Sequence, residues 1–116
     1  MTEEPRGLRI DETEDVPRTF KRFTERFPDI AAAHEAIGKA GDAAGPLDRK
    51  TTALVKLGIC LGAGLESATR SHARRALQHG ATREEIEQVA ALGVNTVGLP
   101  RSVMAWQWAT EQLDRE

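Results

Sequence analysis

Residues 65–86 read LESATRSHARRALQHGATREEI, and they predict the end of one helix and the start of the next. Gly80 is expected to stop the first helix in a left-handed conformation, which a residue without a Cβ adopts easily. Thr82 and Glu85 have the spacing of a capping box, in which each side chain bonds the other's backbone N–H. The stretch therefore predicts two helices joined by a short turn. His72, in the first of them, is the one candidate for proton chemistry.

The composition indicates an all-α protein. The chain has 116 residues but no tyrosine, three phenylalanines and two tryptophans, whereas sheet proteins are usually richer in aromatic residues. Sixteen basic and eighteen acidic residues give a formal charge of −2, which argues against nucleic acid or an acidic membrane as the main partner. No secretory signal is visible, and no apolar run approaches the ~20 residues of a membrane span. We therefore expect a cytoplasmic protein.

The spacing of apolar residues predicts about six helices. We interpret residues 1–16 as a loose polar N-terminal arm and residues 17–116 as a single domain. Ile30, Ala33 and Ile37 are expected to point inward from the second helix, because they share one face. The predicted helices cover 17–27, 28–40, about 49–63 and about 65–79, with a fifth that reaches Gly98 and a last one from Pro100.

The third predicted helix is apolar on nearly every side. After Lys50 it contains Leu54, Val55, Leu57 and Ile59, which lie all around the helix. A helix of this kind is buried on most of its surface, and a chain of this length cannot easily cover it alone. We therefore expect a homo-oligomer. Trp106 and Trp108 are expected to hold the last helix against the core or a neighbouring subunit.

The cysteine and histidine content limits the possible chemistry. Cys60 is the single cysteine, so an intramolecular disulfide and a cysteine-based metal cluster are excluded. Its position in the most apolar helix favours a core residue over a peroxide-reactive thiol. His34, His72 and His79 lack the spacing of a metal site. We expect no metal and no cofactor.

Four stretches between Leu47 and about Trp108 have a distinctive order and spacing. They are Leu47-Asp48-Arg49-Lys50-Thr51 before an apolar helix, then Ser71 to Leu77, Gly80 to Ile86, and Gly98-Leu99-Pro100. In these stretches the chain resembles the carboxymuconolactone decarboxylase and alkylhydroperoxidase D family. The resemblance implies an all-helical, alkylhydroperoxidase D-like subunit that assembles into trimers or hexamers.

The chain departs from the peroxidase branch of that family, which uses a C-x-x-C-x-x-x-H motif. Counting back from His72, the cysteine positions hold Leu65 and Ala68. In that branch a histidine is sometimes found between the cysteines, where this chain has Ser67. An upstream glutamate relays protons with the motif's histidine there, and the resemblance places Ala53 at its position. Peroxide reduction through a disulfide needs an attacking thiolate and a resolving thiol. The family's peroxidase activity is therefore not expected.

The decarboxylase branch lacks the cysteine pair and keeps a histidine, so the chain resembles it more closely. It implies a small anionic or carbonyl-bearing ligand, with His72 as general acid or base. The candidate binding residues are Ser67, Ser71, Arg75 and Arg101.

Two interpretations without catalysis remain open. The chain can be a non-catalytic binding or scaffold protein, in which His72 hydrogen-bonds across helices. The run of Arg70, Arg74 and Arg75 is most simply a solvated helix face, with an anion-binding patch as the alternative. Arg70 is expected to pair with Glu66, four residues before it.

Overall fold

The computed structural model describes residues 18–116, and within this range it consists of six α-helices and no strands. The all-α prediction of about six helices is confirmed. The predicted arm over 1–16 lies outside the described residues. The helices are α1 (Arg18–Arg26), α2 (Pro28–Asp42), α3 (Arg49–Gly62), α4 (Glu66–Gln78), α5 (Arg83–Leu92) and α6 (Leu99–Arg115).

The chain divides into two compact units, of which the first ends at Pro46. In this unit the Phe23 and Phe27 rings lie 5.1 Å apart, and the Arg26 guanidinium carbon lies 4.7 Å from the centre of the Phe27 ring. Neither α1 nor α2 contains a buried residue. The prediction that the α2 stripe points inward is therefore wrong for this chain, since Ile30 is 55% and Ile37 71% exposed. The single-domain interpretation of 17–116 stays a prediction.

The second unit, Leu47–Glu116, contains α3 to α6 and the hydrophobic core. α4 packs between α3 and α6, and α5 packs against α6 and α3. Leu57 and Ile86 are the largest apolar side chains that are almost fully buried. Trp108 packs against the core as expected, whereas Trp106 stays half exposed. The other core positions are mostly alanine, which lets the helices approach closely: Ala53, Ala73, Ala76, Ala81, Ala90, Ala105 and Ala109.

Local hydrogen bonds begin and end the helices where the sequence predicts. The Asp48 carboxylate accepts the Thr51 backbone N–H at 2.8 Å and caps α3. The Thr82 hydroxyl accepts the Glu85 N–H at 3.1 Å, and the Glu85 carboxylate accepts the Thr82 N–H at 2.9 Å. Gly80 has a φ of +97° after the end of α4. The two caps and the left-handed glycine are thus confirmed.

The fifth helix is shorter than predicted. α5 ends at Leu92, and residues 93–97 form turns in which the Gly93 carbonyl accepts the N–H groups of Val97 and Gly98. Gly98 has a φ of +102°, which side chains with a Cβ rarely adopt. The chain changes direction there, and α6 starts at the next residue with Pro100 in its first turn.

Candidate functional site

The buried side of α4 is centred on residues other than His72, which lies at its edge. Thr69, Ala73 and Ala76 are buried, and their spacing of four and three residues places them on one side of the helix. His72 is half-buried at the edge of this side. The solvated interpretation is wrong for Arg74, which is only 3% exposed and donates from Nη2 to the Ser71 hydroxyl at 3.4 Å.

His72 lies in a positively charged environment. Arg75 follows it by one turn of α4, and Lys56 reaches the same region from α3, which packs against α4. Burial and the charges of Arg75, Lys56 and Arg74 lower the pKa of His72 from 6.5 to about 4. The imidazole is therefore neutral at pH 7, where it can accept a proton or a hydrogen bond.

The His72 ring has no hydrogen-bond partner among the described residues. A histidine that held two helices together would normally have one, because buried polar groups are rarely left unsatisfied. The ring is only half-buried, so a ligand or water can supply that hydrogen bond.

Cys60 lies on α3, close to two of the same charges. The thiol is buried as predicted. Burial raises its pKa, although Arg75 and Lys56 act in the opposite direction. A protonated thiol is a poor nucleophile toward peroxide, so the geometry gives Cys60 the properties of a core residue.

The positions that the resemblance assigns to redox residues have no reactive groups. Leu65 is the N-cap residue of α4 and is half exposed, and Ala68 follows on the first turn. Ala53, at the position of the relay carboxylate, belongs to the hydrophobic core. Leu65, Ala68 and Ala53 therefore contribute to packing and to the start of α4. Of the four positions, only that of His72 has an ionisable side chain.

The four predicted binding residues occupy different surroundings. Arg75 and Ser71 are half-buried within one turn of His72 on α4, whereas Ser67 is exposed near the start of that helix. Arg101 is exposed on α6, and its Nη1 donates to the Gly62 carbonyl at 2.7 Å. Arg101 thus satisfies a carbonyl at the end of α3.

Lys56 is a residue of the site that the sequence-based prediction missed. It is half-buried in α3, and its positive charge acts to lower the pKa of both His72 and Cys60. The signal was its position as the single charged residue in the apolar run from Ala53 to Leu65. A lysine that interrupts such a run is costly unless it has a role.

Arg70 belongs to a separate ion-pair network. Its Nη2 lies 3.1 Å from a Glu66 oxygen and 2.9 Å from a Glu111 oxygen, so the predicted pair with Glu66 is confirmed. The pair with Glu111 connects α4 to α6, and hydrogen bonds to Glu111 and Glu66 raise the pKa of Arg70.

Between residues 18 and 116, no three His, Cys, Asp or Glu side chains gather in a group that could hold a metal ion. None of the six described helices combines the length and the apolar character that crossing a membrane requires.

Comparison with known proteins places the chain in a family. A profile of the Carboxymuconolactone decarboxylase family matches residues 28–111, which include His72, Lys56 and Arg75. The chain is 28% identical over 102 residues to the 4-carboxymuconolactone decarboxylase of Acinetobacter baylyi, an alignment that covers 88% of this chain and 69% of that protein. It is 25% identical over 91 residues to an uncharacterised protein of Cupriavidus necator, covering 78% and 80% of the two chains. No solved structure gives a significant match. Since the profile covers most of the sequence, the chain belongs to the Carboxymuconolactone decarboxylase family.

Proposed function

We propose that the chain binds a small anionic or carbonyl-bearing molecule beside His72 and that His72 exchanges a proton with it, without redox cysteines. The observation that carries the proposal is the arrangement on α3 and α4: a half-buried histidine without a hydrogen-bond partner, next to Arg75 and Lys56. Such a group of cations suits a carboxylate.

A bound anion also changes what His72 can do. Burial and, to a smaller extent, the surrounding cations disfavour the imidazolium and so lower the pKa of His72. A carboxylate placed among the cations offsets their part of the effect, and the pKa of His72 then rises. The histidine then accepts and returns a proton near neutral pH, where general acid–base catalysis is most effective.

4-Carboxymuconolactone is the first substrate to test, because it is named in the description of one relative. In a decarboxylation, the bond between the carboxylate carbon and the ring breaks and carbon dioxide leaves. The remaining electron pair is delocalised toward a carbonyl, and the carbon then takes up a proton. The protonated His72 would supply that proton, and the cations would hold the second, unreacted acidic group of the substrate.

The test is an absorbance assay of 4-carboxymuconolactone consumption with the wild-type chain and with His72→Gln. We expect the substitution to reduce kcat/KM by about 100-fold or more, the usual range for a lost general acid or base. His79→Gln is the matched control, because His79 follows the same helix and has no assigned role. Equal rates for wild type and His72→Gln would refute the role of His72.

A non-catalytic binding or scaffold protein is the alternative, and the buried Ala53 favours it, because no second carboxylate assists His72. In that case the wild-type chain turns over no lactone, and isothermal calorimetry detects the same carboxylate affinity before and after His72→Gln. Peroxidase activity has the least support, since the single thiol is buried and protonated.

Self-association and a cytoplasmic location are part of the proposal. Ile59 and Leu99 are more than half exposed on the described chain, and apolar side chains of this size are usually covered in an assembly. The resemblance implies a trimer or hexamer. Light scattering on the purified chain measures the mass directly, and a monomer at micromolar concentration would contradict this part of the proposal.

A further inference from the structure

We propose that the groove between α5 and α6 is a second binding site, which takes a small, neutral aromatic molecule with one hydroxyl or carbonyl group. The groove has a volume of about 460 Å³, which is in the usual range for small-molecule sites. His72 is not among its lining residues, so the proposal goes beyond the chemistry of that histidine. The lining of this α5–α6 groove includes Glu87, Gln88 and Ala91 of α5 with Ser102, Val103 and Trp106 of α6.

A buried hydroxyl belongs to the inner wall of the α5–α6 groove. Ser102 lines the groove near the start of α6 but is only 3% exposed. Its Oγ lies between the two helices, since a Cβ added at Gly93, just after α5, would come within 2.6 Å of it. Among the described residues this Oγ has no hydrogen-bond partner. Because buried hydroxyls are normally paired, a ligand oxygen that reaches between the helices would satisfy Ser102.

Trp106 gives the groove an aromatic wall of fixed orientation. Its Nε1–H donates to the Glu87 carboxylate at 2.9 Å, which ties the ring to α5. Trp106 is 46% and Val103 53% exposed, so a ligand can contact the apolar surfaces of both. Ala91 has a small side chain, which leaves room for a ring on the α5 side. Aromatic rings pack favourably against one another in offset or edge-to-face arrangements, so an aromatic ligand suits this wall.

The charges of the groove favour a neutral ligand. Glu87 is the one charged residue among its described lining residues, and the hydrogen bond from Trp106 lowers the pKa of its carboxyl group. The carboxylate is therefore ionised at neutral pH and repels anions. It also accepts the Arg83 Nε–H at 3.0 Å, so it does not need a cationic ligand. The site of His72, beside Arg75 and Lys56, has the opposite preference.

The depth of Ser102 favours a small molecule over a protein partner. Apolar side chains from another chain would cover Val103 and Trp106 but leave the Ser102 hydroxyl unsatisfied, which is costly for a buried polar group. A flat molecule with an oxygen at one end serves both parts of the groove: its ring contacts Trp106 and its oxygen bonds Ser102. Since a serine hydroxyl both donates and accepts hydrogen bonds, an alcohol and a ketone both fit.

Benzyl alcohol is the probe, and heteronuclear NMR of the full chain is the measurement. Trp106 and Trp108 are the only tryptophans, so two indole N–H signals are expected, and Trp106→Phe assigns them. Benzyl alcohol should shift the Trp106 signal saturably, with a Kd of about 1 mM for a ligand of this size. Benzoate has the same ring with a negative charge and should bind at least about 5-fold more weakly. No saturable shift, or equal affinity for benzoate, would overturn the proposal.

Ser102→Ala separates the hydrogen bond from the apolar contacts. Loss of the hydroxyl should weaken the binding of benzyl alcohol about 5-fold, the usual contribution of one hydrogen bond. Toluene has no oxygen, so its affinity should be the same for wild type and Ser102→Ala. An unchanged affinity for benzyl alcohol, or an equal loss for both molecules, would contradict the role of Ser102.

Ala91→Phe tests the position of the site, because the larger side chain fills the groove. We expect it to abolish the shift by benzyl alcohol, whereas Ala44→Phe, at an exposed alanine in the first unit, should bind as the wild type does. Circular dichroism verifies that both variants are folded. Retained binding by folded Ala91→Phe would place the ligand elsewhere and refute the proposal.

His72→Gln distinguishes this proposal from the proposed function. This variant should bind benzyl alcohol with the wild-type affinity, since His72 does not line the groove. A weaker affinity of His72→Gln would mean that the two sites are one and would overturn the second site. A groove covered by a second copy would give no shift in the wild type, which also refutes it. The lactone assay is independent of either result.

Discussion

At the scale of single residues, His72 shows how a side chain obtains an unusual pKa from neighbours on two helices. Burial is the larger cause, and the charges of Arg75, Lys56 and Arg74 add to it. Arg75 and Arg74 belong to the same helix, whereas Lys56 comes from α3. The identity of the histidine is therefore visible in the sequence, but its protonation state depends on how α3 and α4 pack.

The low pKa of His72 predicts a specific loss of stability in acid. The pKa is about 4 in the folded chain, against the ordinary value of 6.5. Between these values the unfolded chain binds a proton here that the folded chain does not, so the free energy of unfolding falls as the pH decreases from about 6.5 to about 4. Over the whole of this pH window, the free energy of unfolding falls by about 3 kcal/mol.

Urea unfolding of wild type and His72→Gln at pH 7 and pH 4.5 measures this effect. The variant has no titratable group at this position, so its stability should decrease less in acid than that of the wild type. Other groups titrate equally in both proteins, which makes the variant the control. Parallel pH dependences would show that His72 keeps an ordinary pKa in the folded chain.

At the scale of the elements, the junction of α5 and α6 depends on Gly93. This buried glycine follows α5, and a Cβ at its position would lie 2.6 Å from the Ser102 hydroxyl oxygen and 3.2 Å from the Ala90 carbonyl oxygen. Both distances are shorter than ordinary contacts. The close approach of the two helices is therefore the reason for a glycine here.

Gly93→Ala is expected to destabilise the fold by about 2 kcal/mol, the typical cost of overfilling a packed site. Adding Ser102→Ala removes the nearest atom and should recover part of the lost stability. Thermal unfolding of the single and double variants measures both effects. Gly38→Ala is the control, because it lies inside α2 with nothing within 4 Å of the added Cβ, and it should be neutral or stabilising. Equal effects of the two glycine substitutions would contradict the packing argument.

At the scale of the whole molecule, burial is concentrated in one part of the described chain. Every buried residue between 18 and 116 lies in Leu47–Glu116. The part before Pro46 contains two helices without a buried residue. Since burial of apolar surface is the main source of stability, the second unit holds the interactions that define the fold.

The fragment 47–116 is therefore expected to fold by itself. We predict a helical circular dichroism spectrum and one cooperative urea transition, because the whole hydrophobic core is retained. The full chain measured under the same conditions is the reference. A fragment without cooperative unfolding would show that residues 1–46 are needed for the core to form.

The sequence by itself determined where most helices begin and end and which family the chain resembles. Asp48, Thr82 with Glu85, and Gly80 act through hydrogen bonds and backbone angles within about four residues, so local sequence is sufficient to predict them. The prediction that Leu65 and Ala68 replace a thiol pair also came from the sequence, because these residues have fixed spacings from His72.

Only the tertiary structure decided which faces are buried and which charges meet. The buried face of α4 runs through Thr69 and Ala73, the α5 helix ends at Leu92, and Lys56 joins the site of His72. Each of these depends on packing between helices that are distant in sequence. Alanine and small polar residues fit on either side of a helix, so their periodicity does not show which side the neighbouring helices cover.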